Sequence, residues 1–168
     1  MVLQAPPVQR HQVQILTVNF QFSGQLEVVG PVSNFLNDPT RNSISLYEAS
    51  LTPLAPGIPL GSLSRPHVVI RKPQIVFLYL TSAEARALIR PFARRELLVA
   101  YTPVAVCRGY FHLSAEASVR DFVDTVNADL LPITEAHVFP FNALSAPFPT
   151  EADLLLAGRA YLQFYYPV

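Results

Sequence analysis

Few residues of this chain have the type and spacing that chemistry requires. The four histidines lack the HxxxH and HxH spacings that metal sites use; they are His11, His67, His112 and His137. The single cysteine, Cys107, lies beside Arg108, but a buried strand thiol is a more common role than an activated one. No nucleophile-elbow, P-loop or dinucleotide-binding motif occurs. We therefore expect no catalytic residue, no cofactor and no metal.

Two carboxylates hold matching places in two similar segments of the chain. Glu48 and Glu135 could act as an acid/base pair only if folding brought them close together. Single carboxylates on strands more often form structural hydrogen bonds or set the strand register. We therefore favour a structural role for both residues and a non-enzymatic protein.

Glu48 and Glu135 belong to aligned segments that relate the first part of the chain to the second. At an offset of 87 residues, the aligned segments are 34–36 with 121–123, 47–54 with 134–141, and 76–79 with 163–166. At an offset of 85 residues, 22–26 aligns with 107–111. A period of this length predicts a duplicated structural unit.

The predicted fold is mainly β (α+β), with two tandem copies of a small bent β-sheet or barrel module. Each copy has a short helix after its first hairpin, and a linker helix joins the copies. The predicted divisions are a flexible arm at 1–11, the first β module at 12–80, the linker helix at 81–96 and the second β module at 97–168.

Local patterns predict where the elements of each copy lie. Glycines next to polar residues predict hairpin turns at Ser23-Gly24 and Arg108-Gly109. Alternating apolar residues predict the third strands at 44–54 and 130–139. Pro73 predicts an edge or a bend between two short strands. In the second copy, Ser118 is predicted to cap a helix over 119–128, and two further strands are predicted around Gly158 and Arg159.

The composition favours an assembly over a monomer. Hydrophobic residues make up 51% of the chain and charged residues 14%, against roughly 25% charged residues in typical domains. Residues 1–96 carry nine Lys/Arg and five Asp/Glu, and residues 97–168 carry three and seven. This asymmetry favours head-to-tail contact between a basic first copy and an acidic second one, although drift between two solvated surfaces explains it equally well.

The N-terminal sequence lacks the basic and apolar regions of a signal peptide, and no apolar run approaches the roughly 20 residues of a membrane span. One cysteine excludes an intrachain disulfide. These features predict a cytoplasmic protein that does not interact with membranes.

Two groups of residues are candidates for binding. The candidate nucleic-acid contacts are Arg71, Lys72, Arg86, Arg90 and Arg94. The candidate oligomer-interface residues are Phe77, Tyr79, Phe164, Tyr165 and Tyr166. Basic and aromatic side chains suit phosphate contacts and base stacking. However, the later arginines are also typical of an exposed helix face, and strand aromatics usually pack in cores and interfaces.

Two loops are rich in proline, 53–66 and 142–150, and proline lowers the ordering cost of a loop that contacts a protein partner. The net charge of zero disfavours RNA binding, which depends on neutralising phosphates.

The order of elements resembles the Sm-like fold of small RNA-binding β-barrels. The segments similar to that family are Gly24–Leu26, Ser45–Ala49, Val69–Phe77 and Leu156–Leu162. The third of these is similar to the family's hydrophobic-Ile-Arg-Gly-x-x-Ile block. The resemblance implies ring formation and RNA binding. This chain departs from the pattern because its helix lies between strands 2 and 3, and because Asn37, Asp38 and Asn42 match the family's RNA-binding loop only in position.

A second resemblance concerns 121–123 and 131–136, which are similar to a segment of small uncharacterised bacterial proteins. It implies a bacterial origin and no defined activity.

The sequence thus favours a self-associating structural or regulatory scaffold without enzymatic activity. The alternative is a ring-forming Sm-like RNA-binding protein. A small-ligand sensor that uses the cleft between the copies is a third class.

Overall fold

The computed structural model describes residues 3–54 and 61–168. Within these residues the strands are β1 (Val8–Leu16), β2 (Phe20–Val29), β3 (Ser43–Pro53), β4 (Leu63–Arg71), β5 (Phe77–Leu80), β6 (Arg95–Tyr101), β7 (Ala105–His112), β8 (Leu130–Pro140), β9 (Glu151–Gly158) and β10 (Phe164–Pro167). The helices are α1 (Val32–Leu36), α2 (Ala83–Ala87) and α3 (Phe122–Thr125), with 3-10 turns at Lys72–Gln74 and Arg159–Tyr161.

All strand pairs are antiparallel and form one sheet in the order β10-β6-β7-β8-β9-β5-β1-β2-β3-β4. The prediction of a mainly β protein is therefore confirmed. The sheet is not closed, since no pairing among the described residues joins β4 to β10. We refer to β1–β5 as the first strand group and to β6–β10 as the second.

The two strand groups have corresponding pairing registers. Adding 85 to the residue numbers of β1 and β2, and 87 to those of β3, β4 and β5, gives the equivalent positions in the second group. Each pairing register within the first group then becomes a register found within the second group. For example, Leu16 pairs with Phe77, and Tyr101 pairs with Phe164. The register between the second and third strands shifts once in each group, between Ser23 and Gln25 and between Arg108 and Tyr110.

The predicted hairpin turns at Ser23-Gly24 and Arg108-Gly109 are wrong. Both glycines lie within long strands, and the chain turns earlier, between β1 and β2 and between β6 and β7. A Cβ atom on Gly24 would lie 2.8 Å from the carbonyl oxygen of Tyr47, and one on Gly109 would lie 2.6 Å from Cγ2 of Ile133. Glycine at these two positions therefore allows neighbouring strands to approach closely at an irregularity, and it does not mark a turn.

The helices are shorter than predicted. The linker helix expected over 81–96 is reduced to α2, because Pro91 cannot donate a helical hydrogen bond and β6 begins at Arg95. The helix expected over 119–128 is reduced to α3, which ends where Val126 takes an extended conformation and its carbonyl accepts from Arg159 Nη1 (2.9 Å).

Several other predicted elements lie where the structure has them. The third strands lie at β3 and β8 as expected, and the 3-10 turn at Lys72–Gln74 forms the predicted bend between two strands. A 3-10 turn also separates β9 from β10 around Arg159. The predicted arm is too long, because β1 begins at Val8 and pairs with β2.

Two hydrophobic cores lie against the sheet, and each includes side chains from both strand groups. Leu130, Leu154 and Leu156 of the second half pack in the core of the first group. Leu16 and Phe77 of the first group pack in the core of the second. This exchange joins the groups through shared apolar packing. No helix in the described parts of the chain is long and apolar enough to cross a membrane.

Candidate functional site

The two strand groups meet where β5 pairs with β9. Phe77 lies opposite Ala157, and Leu78 lies opposite Leu156. The ladder extends by one hydrogen bond, from the amide of Gly158 to the carbonyl oxygen of Val76 (2.8 Å). A Cβ atom on Gly158 would lie 2.0 Å from the carbonyl oxygen of Ile75, so this approach of two backbones requires glycine.

An ion pair between a buried lysine and a partly exposed aspartate lies beside this junction. Lys72 is 4% exposed, and its Nζ lies 2.9 Å from Oδ2 of Asp129 and donates to the carbonyl oxygen of Asp38 (2.7 Å). Arg159 lies on the other side of the same carboxylate, with Nη2 3.8 Å from Asp129 Oδ1. The amide of Leu130 donates to Asn37 Oδ1 (3.0 Å). Polar contacts therefore hold the first group's loops against the second half of the chain.

Lys72, Asp129 and Arg159 line a groove of about 380 Å³ between the strand groups. Its charged lining residues are Lys72, Asp124, Asp129 and Arg159. Two cations and two carboxylates balance, so the groove has no net preference for an anion. Nearby, hydrogen bonds from the side chain and the amide of Thr40 hold the pKa of Asp38 below its ordinary value, which keeps this carboxylate ionised as part of its turn.

The first edge of the sheet, β10, carries exposed aromatic side chains. Phe164 is 53% exposed and stacks on Tyr101 at 4.3 Å between ring centroids. Tyr166 is 46% exposed and lies 6.4 Å from the same Tyr101 ring. Tyr165 faces inward instead, where its ring packs on Phe122 and its hydroxyl donates to the carbonyl oxygen of Val119 (2.9 Å).

The second edge, β4, combines a buried face with exposed aliphatic side chains. Ile70 is 4% exposed and belongs to the first core, whereas Val69 is 56% exposed. Leu63, at the start of the strand, is also exposed. Both ends of the sheet therefore present apolar surface next to a strand whose outer edge has no partner among the described residues.

The predicted interface residues occupy three different environments. Phe164 and Tyr166 lie exposed on the β10 edge, as described above. Phe77 is fully buried within the junction. Tyr79 and Tyr165 are half-buried, and the guanidinium of Arg86 lies 5.1 Å from the ring centroid of Tyr79. The structure therefore places only part of this set on an accessible edge.

The predicted nucleic-acid contacts do not form one surface. Lys72 is buried in the junction ion pair. Arg86 lies 2.7 Å from Asp153 and donates to two backbone carbonyl oxygens at the end of β5. Arg94 donates to carbonyl oxygens of residues 114, 115 and 117. Arg71 and Arg90 are exposed and have no ion pair within the described residues.

The two matching carboxylates are not brought together in the sheet. Glu48 lies on β3 and Glu135 on β8, and four strands separate β3 from β8. Glu48 accepts from Gln25 (3.1 Å), and Glu135 pairs with Arg95 (3.1 Å). Both have a positive φ, 49° and 50°, next to the register shift in their group. Each glutamate therefore has its own local partner, and the two do not form an acid/base pair.

The residues first considered for chemistry have structural contacts. His67 stacks on Tyr47 at 4.7 Å, and His112 lies within hydrogen-bonding distance of Phe92 O and Thr134 Oγ1. Cys107 is buried, as predicted, and burial raises the pKa of its thiol to about 12. No group of three or more potential metal ligands lies together in 3–54 and 61–168.

Sequence reasoning missed several residues that shape the junction and the loops. Asp129 carried no recognisable motif, and Gly158 was placed between two predicted strands without its close approach to Ile75 being foreseen. Gln21 is buried and exchanges two hydrogen bonds with the backbone of Ala146, with lengths of 2.9 and 3.0 Å. The proline-rich loop 142–150 is therefore fastened to β2 at one point. Part of the other loop, 55–60, lies outside the described residues.

Comparison of the chain with family models, with curated proteins and with solved structures finds no match in any of the three.

Proposed function

We propose that this protein is a non-enzymatic scaffold or regulatory subunit that self-associates and is built from a duplicated β module. The observation that carries the proposal is the pair of strands, β4 and β10, whose outer edges are unpaired among the described residues at the two ends of one sheet. An unpaired strand edge offers backbone hydrogen-bonding groups to another strand. On both β4 and β10, exposed apolar side chains accompany these groups.

The corresponding registers support the duplication. Two offsets, 85 and 87 residues, relate all the pairings within one strand group to those within the other. They also relate two glycines at register shifts and two glutamates with positive φ. Few side chains are identical between the copies. The correspondence is clearest at positions with positive φ and at glycines where two strands approach closely.

The contacts of the chemically capable side chains support a role without catalysis. Glu48 and Glu135 lie on separate strands with their own partners. The high pKa of Cys107 leaves its thiol protonated near neutral pH, and a protonated thiol is a poor nucleophile.

Self-association is tested by size-exclusion chromatography with light scattering, at about 0.1 M and about 1 M NaCl, where charge screening differs strongly. We expect an oligomer that persists at high salt, because apolar contacts are not screened. Replacing Phe164 and Tyr166 with serine should dissociate it. Phe139→Ser is the matched control, because Phe139 is 56% exposed but lies on the interior strand β8. A wild-type monomer under all conditions would contradict the proposal.

A second candidate function is RNA binding by an Sm-like ring. Its support is the exposed Arg71, which has no ion pair within the described residues; the groove at the junction adds nothing, because Asp124 and Asp129 balance its two cations. The test is fluorescence anisotropy of a labelled single-stranded RNA at increasing salt. Binding that weakens steeply with salt and falls on Arg71→Gln would favour RNA, whereas the absence of binding at low salt would leave only the scaffold proposal.

A further inference from the structure

We propose that β10 of one copy adds to β4 of the next copy, so that the protein assembles head to tail through a near-repeat of its own β5–β9 junction. The inference rests on the proposed self-association and goes further, because it names both strands, their direction and their register. The partner is a second copy of this chain.

The internal junction provides the template. The strand that precedes a 3-10 turn in the second group, β9, pairs with the strand that follows a 3-10 turn in the first group, β5. The two free edges are the remaining strands of the same kinds, β4 and β10. Shifting the internal pairs by 87 residues predicts antiparallel pairing of Phe164 with Ile70 and of Tyr165 with Val69.

The backbone groups of both edges point in the required direction. On β4, the amide of Lys72 donates to the carbonyl oxygen of Asn42 on the β3 side (2.8 Å). Because backbone groups alternate along a strand, the amides of Arg71 and Val69 point away from β3. On β10, the amide of Val168 donates to Leu97 (3.1 Å), so the amide of Tyr165 points away from β6 by the same alternation.

The side chains on the edges also fit this pairing. In the internal junction, Phe77 is fully buried and packs in the core of the neighbouring group. Phe164 holds the corresponding place on β10 and is 53% exposed in the single chain. Pairing with β4 would lay the Phe164 ring over the core that contains Ile70. The excess of positive charge in residues 1–96 and of negative charge in 97–168 favours contact between unlike ends.

One difference from the template predicts how tightly the copies associate. The residue of β4 that corresponds to Gly158 is Arg71, and their backbones match, with φ and ψ of −69° and 120° for Arg71 and −67° and 115° for Gly158. The internal junction leaves no space for a Cβ at this place. The junction between copies must therefore open near Arg71, and we expect it to dissociate more readily than an exact repeat would.

The test uses two variants of the full chain, each with one edge blocked. Val69→Pro removes an outward amide from β4 without removing a hydrogen bond to β3. Phe164→Lys places a charge on β10 where an apolar ring should be buried. Each variant alone should be a monomer by light scattering. An equimolar mixture should form a dimer containing one copy of each, because one free β10 edge and one free β4 edge remain.

Other outcomes are distinct. If Phe164→Lys alone still dimerises, pairing is β4 with β4, and if Val69→Pro alone still dimerises, pairing is β10 with β10. Either result would overturn the head-to-tail inference, as would assembly of both variants alone, yet all three leave self-association intact. A monomeric wild type would instead remove the proposed function. If Val69→Pro fails to fold by circular dichroism, Val69→Lys replaces it as the β4-blocked variant.

A second pair of variants tests the register. Arg71→Gly should lower the dissociation constant between copies by about tenfold or more, because it removes the obstructing Cβ. Arg71→Ala also removes the charge but keeps the Cβ, and it should not tighten association. Equal effects of the two substitutions would show that charge, and not the predicted register, decides the affinity.

Discussion

The amide of Gly158 donates a 2.8 Å hydrogen bond to the carbonyl oxygen of Val76, and the backbones approach so closely here that no side chain fits. This contact continues the β5–β9 ladder, which joins the two strand groups into one sheet. The junction therefore depends on the absence of a side chain at one position, together with the buried Lys72 beside it.

Gly158→Ala should destabilise the protein by about 3 kcal/mol or more, because the new Cβ meets backbone that cannot move alone. The measurement is the free energy of unfolding in urea. Gly61→Ala is the control, since a Cβ at Gly61 has no neighbour within 4 Å among the described residues. Equal stability of the two variants would contradict the described junction.

Breaking the ion pair between Lys72 and Asp129 should also weaken the junction. Lys72→Met should lower the free energy of unfolding by about 2 kcal/mol, less than for a fully buried pair because Asp129 remains partly accessible to water. Adding Asp129→Asn to Lys72→Met should cost less than Asp129→Asn alone. As a control, Arg10→Met removes an exposed pair with Glu27 and should cost at most about 1 kcal/mol. Additive effects of the Lys72 and Asp129 substitutions would contradict the coupling.

The positive φ of Glu48 predicts an unusual order of substitutions on a strand. Glu48→Val should destabilise the protein by about 1 to 2 kcal/mol, because a β-branched residue is strained in the left-handed region. Glu48→Gly should be the better tolerated of the two. At Glu27, on β2 and without positive φ, the order should reverse, since valine favours strands there. Thermal unfolding of the four variants provides the comparison.

Cys107 should make the protein less stable at alkaline pH. Burial raises the pKa of the folded thiol from 9.0 to about 12, so above pH 9 the unfolded state loses a proton that the folded state retains. The contribution of the buried, protonated thiol to the free energy of unfolding is complete below pH 9 and is lost as pH rises toward 12. Relative to Cys107→Ala, the wild type should lose up to about 1.4 kcal/mol per pH unit in this window. A pH-independent difference in urea unfolding between the two proteins would contradict burial of the thiol.

Strand content followed from local sequence more directly than turns did. Alternating apolar residues in 44–54 and 130–139 identified β3 and β8, because one face of each strand is buried. Gly24 was misassigned to a turn because glycine serves both at turns and where strands approach closely. Distinguishing the two requires the position of Tyr47, which is distant along the chain.

The helices were overestimated for a related reason. The spacing of apolar residues favoured a helix over 119–128. In the structure the backbone becomes extended at Val126, where the carbonyl oxygen accepts a hydrogen bond from Nη1 of Arg159, a residue distant in the chain. Among the candidate binding residues, Phe164 and Phe77 have the same residue type and corresponding places. Only the strand order makes one an exposed edge residue and the other a buried one.

The sequence by itself determined the mainly β character and the bend at Pro73, because hydrophobic periodicity and the missing amide of proline act over a few residues. The tertiary structure decided that β5 pairs with β9, that Lys72 is buried against Asp129, and that β4 and β10 remain at the edges. These outcomes depend on contacts between residues far apart in the chain, and no local pattern specifies which strand becomes another's neighbour.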